Sequence, residues 1–275
     1  MKSAMQIRKH EIALMLAARY GYTSYLEICT SITGGTFSLV DKKQFPRRAR
    51  LMYKCPPDFG DGEPIDFSTE AESGEELLAN LMRSGEKFDL VFIDPWHTYT
   101  SSLRDIVFGL HLIKDDGVLL IHDCNAPNAA CAEQGFHSGP WCGVTFAAYL
   151  DIVLFTGGIH YVTVDTDYGC GIISKDHRLA DLFGSWRDAS LASPWRELDL
   201  SEKYAFFDEN RSRLLHLIST DEFCRRLGRE FWKWAEQAES GEDEDVTECD
   251  RDSAQTPIST LDAKEHSQRS SENQP

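Results

Sequence analysis

A doubly wound α/β fold, with helices on both faces of a mostly parallel sheet, is what this 275-residue chain predicts. Two observations carry that prediction. The runs FDLVFID (88–94) and GVLLIHD (117–123) are apolar stretches of equal length, each ending on an aspartate. Apolar runs without alternation suit strands that are covered on both faces. Between them Leu103, Ile106, Val107, Leu110 and Ile113 recur at spacings of 3, 1, 3 and 3 residues, one face of an amphipathic helix. A strand, a crossover helix and a parallel strand make a right-handed βαβ unit, and such units hold ligands beyond the carboxyl ends of their strands. Asp94 and Asp123 fall there, with Trp96, His97 and Tyr99 on the loop after the first strand. Neighbouring strand ends lie roughly 5 Å apart, so both carboxylates can serve one ligand or one metal ion.

The other elements follow in order. Residues 4–20 predict a helix with Ile12, Met15, Leu16 and Tyr20 inward and Gly21 as its stop. SYLEICT (24–30) is a short strand, and SITGGTF (31–37) a glycine-containing loop leading to a helical turn. ARLMYKC (49–55) and PIDFST (64–69) are further strands, and EELLANLMRSG (75–85) a helix ending at Gly85. Residues 125–143 form a long loop, polar and aromatic by turns; loops of that length in a compact domain usually bind or cover a ligand. Trp141 in that loop is a candidate substrate wall. VTFAAYLDIVLF (144–155) is a helix apolar nearly all round, which calls for deep burial or cover by a second subunit and leaves a homo-oligomer open. YVTVDTD (161–167) and CGIISKD (170–176) make an antiparallel hairpin that completes a seven-stranded sheet. Three segments result: a catalytic-type domain over 1–177, a helical extension over 178–238 packed on it, and an acidic disordered tail over 239–275. In the extension Ser219 and Glu222 form a capping box opening a helix with Phe223, Leu227, Phe231 and Trp234 on one face.

Composition excludes several classes. The formal charge of −17 argues against a nucleic-acid backbone as partner, which needs clustered Lys and Arg. Much of that charge belongs to the tail, where eleven acidic and three basic residues leave −9 for the rest. The longest apolar stretch, near 144–156, contains Asp151 and is too short to span a bilayer, so no membrane partner is expected. No leader peptide is visible in the first residues. Eight cysteines without a C-x-x-C pair point away from a disulfide framework and from structural zinc, toward a reduced, cytoplasmic protein.

The motifs YLEI…GGTF, FDLVFIDPWHTYTSSLRDI, LIKDDGVLLIHDC and GPWCGVTFAAYLDIV, in this order of elements, resemble the class I S-adenosylmethionine-dependent methyltransferases, a Rossmann-like family. The resemblance spans about residues 5–176. It implies that Glu27 orders the loop nearest the methionine part of S-adenosylmethionine, that Gly34 and Gly35, with Thr30, form the loop that approaches it, and that Asp66 contacts adenine. Asp94 and Trp96 complete the implied cofactor set. It further implies an acceptor activated either by His97 as base or by Mg2+ held by Asp94, Asp123 and Asn125. Two departures stand out: Cys29 occupies the position of the family's first glycine, and no carboxylate closes the second strand where the ribose hydroxyls are held.

The expected function is transfer of a methyl group to a hydroxyl of a small-molecule acceptor, a sugar or secondary metabolite, with His97 and Asp94 as catalytic residues. Two further readings stay open: an N-methyltransferase or glycan methyltransferase, and a degenerate domain that binds a nucleotide or a protein without catalysis, which the two departures motivate. A nicotinamide dehydrogenase is disfavoured, since no G-x-G-x-x-G follows the first strand.

Overall fold

The structure, a computed structural model, describes residues 7–33, 35–71, 73–184 and 187–228. Helix α1 (Lys9–Tyr20) ends at Gly21 in the left-handed conformation and leads into β1 (Ser24–Thr30). A single turn at Phe37–Leu39 precedes β2 (Arg47–Tyr53), the two-residue β3 (Phe67–Ser68) and α2 (Glu75–Arg83). The βαβ unit is β4 (Phe88–Asp94), α3 (Tyr99–Leu112) and β5 (Ile113–Ile121). After the long loop come α4 (Thr145–Phe155) and the hairpin of β6 (His160–Val164) and β7 (Cys170–Ser174). Helices α5 (Arg178–Phe183), α6 (Ala189–Arg196) and α7 (Leu200–Leu214), strand β8 (Leu217–Ile218) and helix α8 (Thr220–Leu227) follow.

One sheet runs β3-β2-β1-β4-β5-β7-β6-β8. Strands β1 to β5 are parallel, β7 is antiparallel to β5 and β6, and β8 pairs parallel with β6. The eighth strand is one more than the sequence suggests, because a two-residue ladder has no periodicity to read. Alternating side chains serve two cores. Leu26, Ile28, Val91, Ile93, Leu119 and Ile121 face α2, α3, α4, α6 and α7. Tyr25, Leu90, Phe92, Val118, Leu120 and Ile172 face α1, α5 and α8. All seven residues of both β1 and β4 are buried, as unbroken apolar runs require.

Two details differ from the sequence reading. Helix α3 turns Ser102, Asp105, Ile106, Gly109 and Leu112 inward, while Leu103 and Leu110 are half-buried and Val107 is exposed. A Cβ at Gly109 would sit 2.6 Å from Leu119 Cδ1, so the small residue sets how closely the helix packs. Ser102 meets Thr145 Oγ1 at 3.1 Å, and Asp105 accepts from the Tyr53 hydroxyl at 2.7 Å; satisfied polar groups can be buried without great cost. Apolar α4 is covered from within this chain: Phe146 packs on Trp195, Tyr204 and Phe207. Asp151, the charge in that helix, accepts from Tyr99, Trp195 and Lys203, tying α3, α4, α6 and α7 together. Ser219 caps α8 by accepting from the Glu222 amide; Phe231, Trp234 and the tail lie outside the described residues. Among the described residues no helix is long and apolar enough to cross a membrane.

Candidate active site

Asp94 is the last residue of β4, and Asp123 lies two residues beyond β5. Adjacent parallel strands therefore bring two carboxylates together from 29 positions apart in sequence. The chain turns sharply at Asp123 with φ 61°, a strained conformation for a non-glycine residue. That turn is held by backbone bonds from His122 N to Ile93 O and from Cys124 N to Gly169 O, each 3.0 Å. His97 enters from the loop between β4 and α3, just before the Thr98 cap. One ligand atom each from Asp94, His97 and Asp123 lies within 4.8 Å of the other two, and all three residues are buried.

The 139–144 segment fixes the imidazole. His97 Nδ1 lies 2.7 Å from the Trp141 carbonyl, and Val144 N donates to the His97 carbonyl at 3.0 Å. Only glycine tolerates this crossing at position 143: φ is +54°, and a Cβ there would stand 2.0 Å from the His97 carbonyl oxygen. A carbonyl partner makes Nδ1 the protonated nitrogen, so Nε2 faces the acids. It lies 2.9 Å from Asp123 Oδ2 and 3.5 Å from Asp94 Oδ1.

Three cations surround the acids. Lys9 Nζ, from the start of α1, lies 2.7 Å from Asp94 Oδ2. His122 Nδ1 lies 2.9 Å from Asp123 Oδ2 and 3.5 Å from Asp94 Oδ1, with Nε2 3.5 Å from Asp167 Oδ1, yet neither nitrogen makes a hydrogen bond. Burial alone would raise the carboxyls of Asp94 and Asp123, but Lys9 and His122 hold the first well below its usual range, and His122 with His97 hold the second. Burial would likewise lower His97; its bonds to Asp123 and Asp94 overcome this and bring it to about 9. The ionised acids around it favour the protonated form of His97. A divalent cation drawn by the same carboxylates would take the place of that proton.

A cavity of about 270 Å³ opens over the cluster. Its walls are apolar: Ile32, Phe136 and Trp141, with Tyr168 opposite. Phe136 stacks on Trp96 at 5.3 Å, and Trp96 meets Trp141 edge-on at 5.0 Å. Lys9 and Thr33 also line a neighbouring cavity of about 300 Å³, with Arg8, His10, Gly35 and Thr36.

The residues implied for the cofactor divide. Glu27 is fully buried in the middle of β1, three residues before its end, so it does not close the strand. Its Oε2 accepts from the Tyr25 hydroxyl at 2.9 Å, while Oε1 has no partner. Thr30 organises the loop, its hydroxyl accepting from the amides of Ile32 and Thr33, and Thr33 Oγ1 donates to the Asp94 carbonyl at 2.6 Å. Gly35 has φ +142° and open space where a Cβ would stand, a backbone surface bare enough for a ligand to approach; Gly34 lies outside the described residues. An orphaned buried carboxylate oxygen and a bare backbone beside a cationic cavity fit a zwitterionic sulfonium cofactor. Asp66 is not brought to this site. Its carboxylate accepts from the Arg50 amide at 2.8 Å, at the outer edge of the sheet. Asn125 is turned away to other partners: Nδ2 donates to Asp165 at 2.9 Å and Oδ1 accepts from Arg211. The group that lies within reach of both acids is His97.

Sequence reasoning missed Lys9, Thr33, Asp167, Tyr168 and His122 as site residues. No local pattern announces Lys9, Asp167 and Tyr168, which reach the site through α1 and the hairpin turn, far away in sequence, whereas Thr33 lies in the glycine-containing loop after β1. His122 sits beside an expected site aspartate, one residue past the end of β5, and that placement was the available clue.

Residues 38–124, from the turn before β2 to the residue after Asp123, match a family model described as a methyltransferase domain. No curated protein sequence matches the chain. Among solved structures, the chain is similar to the O-methyltransferase TomG of Streptomyces achromogenes, in complex with SAM (14% identity, 63% of this chain and 82% of that one, TM-score 0.44). It is similar too to the SAH-bound Podospora anserina methyltransferase PaMTH1 (16%, 62% and 79%, 0.42) and to a putative caffeoyl-CoA O-methyltransferase from Staphylococcus aureus (14%, 63% and 86%, 0.43). Residues 38–124 thus resemble a methyltransferase domain, and the sheet order is that of a Rossmann-like α/β fold.

Proposed function

We propose that this protein transfers the methyl group of S-adenosylmethionine to a hydroxyl of a small-molecule acceptor, a sugar or secondary metabolite. The observation that carries the reading is the convergence of Asp94, His97 and Asp123 under an apolar-walled cavity, next to the loop of residues 30–36. When bound, S-adenosylmethionine supplies an electrophilic methyl carbon, and a divalent cation at the cluster supplies a Lewis acid that lowers the acceptor's pKa.

The chain's own residues do the rest. Glu27 and the Thr30–Gly35 loop hold the cofactor, while Lys9 and Arg8 offer charge to its carboxylate. Trp96, Phe136 and Trp141 exclude water and orient the acceptor over the acids, the positioning on which an in-line displacement depends. Asp94, His97 and Asp123 would hold that cation beside the acceptor hydroxyl, whose proton leaves through the cavity mouth to solvent as its oxygen takes the methyl group. A binding-only reading has one observation in its favour: Lys9 already neutralises one oxygen of Asp94.

Calorimetry with S-adenosylmethionine and transfer of a labelled methyl group to a panel of hydroxylated small molecules test both readings. Micromolar cofactor binding weakened by Glu27→Ala, with label on an acceptor oxygen, supports transfer. Binding without transfer supports the degenerate domain, and no binding overturns both.

A further inference from the structure

We infer that Asp94, His97 and Asp123 form a site for a divalent transition-metal ion that takes an imidazole ligand, such as manganese, iron or cobalt, in preference to magnesium. This rests on the cation reading above and names the kind of ion. The donors come from three places, the end of β4, the loop after it and the turn after β5, and converge within 4.8 Å. Asp94 has one oxygen spent on Lys9, so Oδ1 alone turns inward, and His97 Nε2 and Asp123 Oδ2 meet it. The outer nitrogen of His97 is bound to the Trp141 carbonyl, the arrangement that orients a metal-binding imidazole.

An all-oxygen set would need Asn125, whose amide is committed to Asp165 and Arg211. Magnesium is a hard ion that favours oxygen and gives up water reluctantly, whereas imidazole suits the later first-row metals. A second observation points the same way. His122 is buried, lines the same cavity and has no hydrogen bond at either ring nitrogen, with Nδ1 2.9 Å from the same Asp123 oxygen. A second imidazole thus stands beside the same acids.

The full-length chain is titrated separately with Co2+ and Mg2+ by calorimetry, and pulsed EPR is recorded on the Mn2+-loaded protein. One Co2+ per chain, bound at least 100-fold more tightly than Mg2+, is expected, with nitrogen-14 modulation from imidazole in the Mn2+ spectrum. His97→Asp keeps a donor but makes it oxygen, and should narrow the Co2+ to Mg2+ ratio at least tenfold. Magnesium binding as tight as cobalt, an unchanged ratio in His97→Asp, or no nitrogen modulation would each overturn the inference. The wild-type EPR result stands even if the variant fails to fold. Should no divalent cation bind at all, the inference falls, whereas cofactor binding and methyl transfer still decide the function proposed above.

Discussion

Acidic residues meet buried cations at two places in this sheet, and the two places are built differently. At the outer edge, the Arg50 side chain is fully buried and its donors are spent: Nη1 and Nη2 on Asp61 at 2.6 and 2.9 Å, Nη2 also on the Glu63 carbonyl, and Nε on the Pro64 carbonyl. Asp66 spends its carboxylate on the Arg50 amide. At the carboxyl ends of β4 and β5 the groups are left over. Asp94 and Asp123 stand close together, Asp123 on a strained turn, and His122 meets them only through ion pairs; nearby in the middle of β1, Glu27 Oε1 is buried without a hydrogen bond. Buried polar groups without partners cost stability, and a fold keeps such a cost chiefly where a ligand repays it. A carboxylate at the edge serves the fold; a carboxylate at the strand ends waits for something else.

The largest effect that separates the two places is on turnover. Asp123→Asn keeps the shape of the side chain but removes the charge that gathers cations, and should lower kcat by about 100-fold or more. Far-UV circular dichroism should remain that of the wild type. An active Asp123→Asn enzyme would erase the distinction. At the edge the effect falls on stability instead. Arg50→Ala strands Asp61 and two carbonyls and should cost about 3 kcal/mol in urea unfolding, the low end for a broken buried pair because Asp61 keeps water on one side. Cofactor affinity should not change.

Glu27 gives a pH-dependent contrast. Burial raises its carboxyl to about 7, against the Tyr25 hydrogen bond that lowers it. The unfolded carboxyl titrates near 4.5, so between about pH 4.5 and 7 the folded state binds the proton that the unfolded state has lost. Stability therefore falls as pH rises through that window and stays lower above it. Glu27→Gln cannot ionise and escapes the loss. Its thermal melt should match the wild type at pH 4 and exceed it at pH 8, by on the order of 2–3 kcal/mol. The same substitution should weaken S-adenosylmethionine binding. A variant no more stable at pH 8 than the wild type would show that Glu27 is not a held-back charge.

Strands and helices that bury long apolar runs were legible: FDLVFID and SYLEICT are β4 and β1 to the residue. The meeting of Asp94 with Asp123 was legible as well, because parallel neighbours align their ends. What escaped was held in place by contacts distant in sequence. Val107 counts as apolar yet points outward, since Gly109 and the satisfied Ser102 and Asp105 take the inner face of α3. Lys9 reaches Asp94 across 85 residues, and nothing near either position announces it. Asn125 has the right chemistry for a ligand and stands two residues from Asp123, but Asp165 and Arg211 claim its amide first. Motif spacing reports which atoms are available; it does not report which are already bound.

The smallest predicted effect bears on that point most directly. Asp66 falls where the family resemblance puts an adenine contact, and the structure spends its carboxylate on the edge of the sheet. Its side chain is exposed, so a change there exposes no new core surface. Asp66→Ala removes one hydrogen bond from a carboxylate to the Arg50 amide, worth about 1 kcal/mol at a solvated site. Asp66→Asn keeps an acceptor oxygen and should recover most of that loss. Neither variant should alter S-adenosylmethionine affinity by more than twofold, whereas Glu27→Ala should weaken it by roughly 1–3 kcal/mol, the cost of an unmet buried polar partner. Calorimetry on the three variants side by side decides the matter. If Asp66→Ala loses cofactor as Glu27→Ala does, the edge of the sheet is part of the site after all, and a spent carboxylate is no guide to function here.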